Sequence, residues 1–261
     1  MKTNCLTGLF LALLLVAIRL PAQPLPSDPA SLKATVAKAK SGDVQAQYLL
    51  AGDYFLGANG LAKDYVKAVK WYRQSAEHGY APAQIQLGHL YAAGQGVKQN
   101  DVQAVKWFRQ AANQGDAAAQ NILGTCYDKG RGVDQDDAEA LKWYRKAALQ
   151  GDARAQNNLG TCYEQGQGVT QNYAEAVSWF RLAAEQGEPG AQFNLGYCYD
   201  KGQYLKQSDQ EAYYWMSLAA SRGDQDAALE RDTIAGRMTR EEILAAQQRA
   251  ATFVPHPPSL K

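Results

Sequence analysis

Residues 116–151 read DAAAQNILGTCYDKGRGVDQDDAEALKWYRKAALQG, and residues 152–187 read DARAQNNLGTCYEQGQGVTQNYAEAVSWFRLAAEQG. The second stretch repeats the first at most apolar and glycine positions. The interval extends outward: Gly79, Gly115, Gly151, Gly187 and Gly223 stand 36 residues apart, and so do Trp71, Trp107, Trp143, Trp179 and Trp215, which are all five tryptophans of the chain. A fixed period of this length marks a repeat architecture.

Inside residues 116–151, Ala119, Leu123 and Tyr127 fall at i, i+4 and i+8 and share one face of a first helix. Asp116 suits its N-cap, and Gly130-Arg131-Gly132 ends it where a left-handed residue is needed. A second helix starts near Asp136, with Ala140, Trp143, Tyr144, Ala147 and Ala148 as its apolar stripe, and stops at Gly151. Neither helix can bury its stripe alone, so the units must stack. The spacing predicts an all-α solenoid of five 36-residue helix-turn-helix repeats over residues 42–223. The first unit carries one extra residue around Gly57-Ala58-Asn59-Gly60, and Ala51 stands where other units have glycine after leucine. The fifth has Tyr204 in place of a loop glycine.

The flanks read as caps and an export signal. Residues 23–41 contain an N-terminal capping helix opened by Asp28-Pro29. Residues 224–253 hold C-terminal capping helices, the last begun by the Thr239-x-x-Glu242 capping box, and residues 254–261 form a tail. Lys2, the apolar run 8–18 and Leu20-Pro21-Ala22 have the form of a secretory signal peptide over residues 1–22, cleaved before Gln23. Arg19 and Pro21 close the run short of the roughly 20 apolar residues a span needs. The expectation is an exported protein, periplasmic or secreted, with no stable membrane span after cleavage. Cys5 precedes the run and is not placed as a lipoprotein cysteine.

With 46% hydrophobic and 20% charged residues, the chain has the composition of a globular protein and not of a disordered one. Lys+Arg 27 against Asp+Glu 26 leaves a net +1, without the basic excess of a nucleic-acid binder, so no nucleic-acid partner is expected.

The pattern A-Q-x-x-L-G-x-x-Y-x-x-G-x-G-V, then A-x-x-W-[YF]-R-x-A-A-x-x-G, resembles the Sel-1-like repeat family, relatives of the tetratricopeptide repeats. The resemblance implies a right-handed α/α superhelix and a noncatalytic scaffold that holds a protein or peptide, in complexes serving envelope biogenesis, secretion or signalling. Transferring the tetratricopeptide register places Gln86, Asn158 and Asn194 on the concave face. Around them it places Tyr48, Phe55, Ile85, His89, Asn121, Thr125, Arg154, Asn157, Thr161, Phe193 and Tyr197. Asp128, Glu164 and Asp200 recur at one position and add negative charge. The partner this groove fits is an extended segment with aromatic or aliphatic anchors and at least one basic residue.

Residues able to do chemistry are few and scattered. His78, His89 and His256 form no ligand pair at metal spacing, and Asp134, Asp136, Asp137 and Glu139 are acids at a helix start instead of a calcium loop. Gly94/Gly96, Gly130/Gly132 and Gly166/Gly168 lack the third glycine and the strand of a dinucleotide site. Arg222-Gly223-Asp224 spells an adhesion tripeptide, but Gly223 is the repeat's terminal glycine and Asp224 the next cap. No catalytic residue, metal or cofactor is therefore expected. The rival is an enzyme, because a cysteine-rich branch of the family is associated with penicillin binding and β-lactam hydrolysis. That branch has two cysteines per repeat; here Cys126, Cys162 and Cys198 give one each. Equivalent sites on stacked helices lie about 8–10 Å apart, beyond the roughly 7 Å a disulfide spans, so all three are expected to be unpaired. Ser-x-x-Lys and Lys-Thr-Gly are missing too. Lys70, Lys106 and Lys142, with Arg73, Arg109, Arg145 and Arg181, recur on second helices and read as a solvated face.

Overall fold

The computed structural model describes residues 29–256. The expected signal peptide and Cys5 lie outside the described residues, as do residues 257–261. Thirteen helices run in chain order among the described residues: α1 (Pro29–Lys40), α2 (Val44–Leu56), α3 (Tyr65–Glu77), α4 (Ala81–Ala93), α5 (Asp101–Asn113), α6 (Ala117–Lys129), α7 (Asp137–Leu149), α8 (Ala153–Gln165), α9 (Tyr173–Glu185), α10 (Pro189–Lys201), α11 (Asp209–Ser221), α12 (Gln225–Ala235) and α13 (Arg240–Ala251). The first helices of the five units are α2, α4, α6, α8 and α10, and the second helices are α3, α5, α7, α9 and α11. The result is an all-α solenoid.

Local chemistry sets the helix ends. Asp116 accepts from Ala119 N at 2.8 Å and Asp152 from Ala155 N at 2.7 Å, occupying backbone donors that a helix start leaves unpaired. Asp136 and Asn172 do the same for second helices. First helices stop at Gly94, Gly130, Gly166 and Gly202, all left-handed, with φ between 62° and 71°.

Leu87, Leu123, Leu159 and Leu195 are completely buried, one in each of units two to five. The glycine after each leucine gives the second helix room to approach. An added Cβ would stand 2.4 Å from Phe108 at Gly88 and 2.7 Å from Tyr144 at Gly124, so the aromatic ring lies directly on first-helix backbone.

Different side chains join the two rows of helices. Trp143 is buried among Ala104, Val105 and Phe108 of the preceding second helix, while Trp107 and Trp179 pack on the equivalent preceding clusters. Successive first helices meet instead through asparagines: Asn158 Nδ2 donates to Asn121 Oδ1 and Asn194 Nδ2 to Asn157 Oδ1, both at 2.9 Å. Indole rings between second helices, and side-chain amides between α6, α8 and α10, are thus the contacts that join successive units.

Two polar ladders tie the units, and neither belongs to the sequence expectation. Gln84, Gln120, Gln156 and Gln192 are buried, and each donates Nε2 to a carbonyl at the end of the preceding second helix: Ala76, Ala112, Ala148 and Ala184, at 3.1–3.2 Å. Gln114, Gln150 and Gln186 donate in turn to Gln84, Gln120 and Gln156. The second ladder corrects the reading of the arginines as merely solvated. Arg73, Arg109, Arg145 and Arg181 donate to the hydroxyls of Tyr91, Tyr127, Tyr163 and Tyr199 on the next first helix.

The departures from the repeat have local solutions. The extra residue of unit one is taken up by a turn with Leu61 N donating to Ala58 O at 3.0 Å, and Asn59 (φ 53°) and Gly60 (φ 82°) are both left-handed, as a type I′ turn requires. Asn59 Nδ2 folds back to Asp53 at 2.8 Å, a buried carboxylate standing where other units have leucine or cysteine. At the far end Thr239 and Glu242 form the capping box of α13. The chain beyond it doubles back, with Phe253 edge-on to Trp215 and His256 N donating to Glu185 O at 3.0 Å.

Candidate functional site

The face expected to be the inner one is built from α4, α6, α8 and α10, and its centre is the asparagine seam. One step earlier the seam positions are Ile85 and Ile122, packed on the cluster of Val105, Phe108 and Leu123. One step later Phe193 takes the place of Asn157 and packs on the terminal cluster with Tyr197. This face is therefore amide-lined in the middle and apolar to either side.

The structure revises several of the residues assigned to it. Asn158 and Asn194 are not free donors, since each spends an Nδ2 bond on the neighbouring unit. Asn121 is buried beneath that bond. Asn157, Asn158 and Asn194 stay half-buried, with polar atoms left over beyond the seam bond. Thr125 and Thr161 bond back to the carbonyls of Asn121 and Asn157, and Thr125 also accepts from Tyr144 at 3.2 Å. Gln86 is half-buried and Arg154 exposed. Tyr48 is core, lying between Tyr72 and Tyr80, because unit one has only α1 above it. Phe55 packs on Tyr65 at 5.3 Å, by the loop.

His89 sits edge-on to Phe108 at 5.1 Å. Its Nε2 is buried without a partner, and burial pushes its pKa down to about 4, so the ring is neutral. Phe193 and Tyr197 lie 6.5 Å apart and nearly parallel.

The three recurring acids are not equivalent. Asp128 pairs with Lys129 at 3.0 Å. Asp200 is a correction: it is buried and bonded to Lys201 and Arg237. Burial raises its carboxyl, but those bonds outweigh burial and hold it below the usual range. Its charge is spent on the C-terminal cap. Glu164 has no ion pair among the described residues, and burial alone pushes its carboxyl up.

Elsewhere the chemistry is quiet. Cys126, Cys162 and Cys198 are free and buried, and burial lifts each thiol well above the usual range, which makes them poor nucleophiles. Among the described residues no group of His, Cys, Asp and Glu is placed to hold a metal ion, and no helix is long and apolar enough to cross a membrane.

Both glutamine and arginine ladders were missed by reading apolar positions alone. The signal was present as a glutamine after alanine in every unit, and as an arginine followed 18 residues later by a tyrosine in units one to four.

Five consecutive segments, 44–80, 81–116, 117–152, 153–188 and 189–224, match the Sel1 repeat. Among solved structures the chain is similar to c5321, described as a protective antigen present in uropathogenic Escherichia coli strains displaying an SLR fold. That chain is 36% identical, with a TM-score of 0.75, and the match covers 84% of this chain and 48% of that one, so this chain spans about half its length. It is also similar to a Sel1 repeat protein from Oxalobacter formigenes, 28% identical with a TM-score of 0.70, over 86% of this chain and 99% of that one. Immunity protein PA5088 from Pseudomonas aeruginosa is 22% identical over 90% of this chain and 84% of its own, with a TM-score of 0.51, a likeness of fold alone. The curated proteins returned no match. Sel1 repeats build helical solenoids that typically serve as protein-interaction scaffolds. With five matched repeats in unbroken register over residues 44–224, this chain belongs to the Sel1 repeat family.

Proposed function

We propose that the protein is an exported, noncatalytic scaffold that holds an extended segment of a protein partner along the groove of its first helices. One observation carries this reading: the two faces spend their polar groups differently. On the second helices the arginines are engaged by tyrosines of the next unit. On the first helices the amides of Asn157, Asn158 and Asn194 make a single seam bond each and keep further donors and acceptors. Flanked by Ile85, Phe193 and Tyr197, they supply the mixture of anchors and hydrogen-bonding groups that an extended chain needs.

Export rests on residues 1–22, whose short apolar run and Leu20-Pro21-Ala22 favour cleavage before Gln23; N-terminal sequencing of exported material should begin there. The groove is tested by placing a photocrosslinking residue at Gln86, Asn157 or Arg154 on the inner face and at Lys106 or Lys142 on the outer face, then irradiating cells that export the protein. Adducts from the inner positions and none from the outer ones are expected. The reverse pattern refutes the groove.

A further inference from the structure

Tyr204 stands where units two, three and four carry Gly96, Gly132 and Gly168. Those glycines have φ of 68°, 69° and 66°, and Tyr204 keeps the same left-handed backbone at 61°. Glycine adopts that conformation freely and a bulky residue rarely does. Space also argues against a side chain: at Gly132 and Gly168 an added Cβ would lie 2.3 Å from Asp101 O and 2.4 Å from Asp137 O. Burial does not compensate, because Tyr204 is 56% exposed.

Its ring lies instead on Tyr173, with centroids 3.7 Å apart and planes within 10°. Tyr173 stands where units two, three and five carry Asp101, Asp137 and Asp209 and unit one carries Tyr65. The exceptional Tyr204 thus meets a tyrosine at the start of the preceding second helix, between units four and five. A strained backbone that displays a side chain to solvent points to use of that side chain.

Glu164 completes the arrangement. Gln171 Nε2 donates to both Tyr173 OH, at 2.5 Å, and Glu164 O, at 2.7 Å, joining the stacked rings to the end of α8. One side chain therefore holds the Glu164 backbone against the Tyr173 hydroxyl. Unlike Asp128 and Asp200, Glu164 has no ion pair among the described residues. A half-buried acidic residue without an ion pair among the described residues is thus tied to an exposed pair of stacked rings. A guanidinium suits both groups, because it is planar, stacks on aromatic rings and bonds a carboxylate through two N–H groups, whereas an ammonium offers only a strongly hydrated point charge.

We propose that Glu164, Tyr173 and Tyr204 seat the guanidinium of an arginine in the segment held by the groove. The proposal rests on the groove reading for its partner, while the seat itself can be tested alone. The probe is N-acetyl-arginine amide, titrated into the full chain carrying ring-labelled tyrosine and followed by NMR. Saturable shifts of the Tyr173 and Tyr204 rings are expected, with N-acetyl-citrulline amide, the neutral isostere, binding about tenfold more weakly or worse. Glu164→Gln should lose a similar factor. Tyr204→Gly restores the residue of the middle units and should abolish binding while leaving the melting temperature unchanged or higher.

No saturable shift, equal binding of citrulline amide, or undiminished binding by Glu164→Gln overturns the seat. So does a fall in melting temperature in Tyr204→Gly, which would show that the ring is kept for stability. Arginine amide that binds as expected while inner-face crosslinks fail would support the seat and refute only the groove; crosslinks without arginine binding would do the opposite.

Discussion

Gln156 and Gln192 offer a matched comparison. Both are completely buried and both donate Nε2 to an alanine carbonyl of the preceding helix at 3.2 Å. They differ at Oε1. Gln156 Oε1 accepts from Gln186 at 2.6 Å, whereas Gln192 Oε1 is buried without a partner, because residue 222 is arginine where units two, three and four have Gln114, Gln150 and Gln186. Leucine replaces glutamine at nearly constant volume. Gln156→Leu removes two neutral hydrogen bonds, each worth about 1 kcal/mol net. The acceptor it abandons, Ala148 O, still receives Gly151 N at 3.0 Å, so no full desolvation penalty is added. Gln192→Leu removes one such bond and also an unpaired buried oxygen, which itself costs about 1–3 kcal/mol. The expected losses are about 2 kcal/mol for Gln156→Leu and zero or a slight gain for Gln192→Leu. Urea unfolding followed by circular dichroism measures both, and with a slope of about 2–3 kcal/mol/M the midpoints should separate by close to 1 M. Equal losses, or a larger loss at Gln192, would refute the claim that carboxamide pairing joins the units.

Three further expectations follow from named groups. Trp143→Ala should cost about 3–5 kcal/mol, since the indole is buried against the preceding second helix, while the exposed Lys142→Ala should leave the melting curve almost unmoved; similar effects would place Trp143 outside the core. Thiol titration of mature protein in denaturant without reductant should count the three thiols of Cys126, Cys162 and Cys198, and a count of one would require an intrachain bridge. Acid should weaken the fold through His89, whose pKa falls from 6.5 to about 4 on burial: the unfolded chain takes up this proton first, so the contribution is flat above pH 6.5 and declines by about 3 kcal/mol as pH falls to 4. His89→Gln should flatten that decline in pH-dependent unfolding, and an unchanged slope would count against it.

The architecture was legible because it is written in residues whose roles are local. Gly130 ends a helix by its backbone freedom, Asp116 caps one, and Trp143 recurs at the period of the stack. Asn121 and Asn158 show where that reading stops. Their register put them on the inner face, but their bond to each other joins residues 37 apart on different helices and depends on the distance between first helices, which the packing of whole units sets. Asp200 shows the same limit, since its charge is cancelled by Arg237, a residue of the cap and not of the repeat. Tyr48 was misplaced because the register describes a middle unit, and at the end of the stack a groove position becomes core. Tyr204 was visible in the sequence as an exception, and its partner Tyr173 was visible only once the two loops were brought together.

The central claim, that the inner face is the one that binds, is most directly tested by measuring affinity for the segment recovered by crosslinking. Arg154→Ala combined with Phe193→Ala alters the inner face without touching the asparagine seam or either ladder, and should weaken binding by about tenfold or more, equivalent to about 1.4 kcal/mol, with the unfolding midpoint reported alongside as the stability control. Lys106→Glu combined with Lys142→Glu, on the outer face, should leave affinity unchanged. Full affinity in the first variant and lost binding in the second would contradict the account.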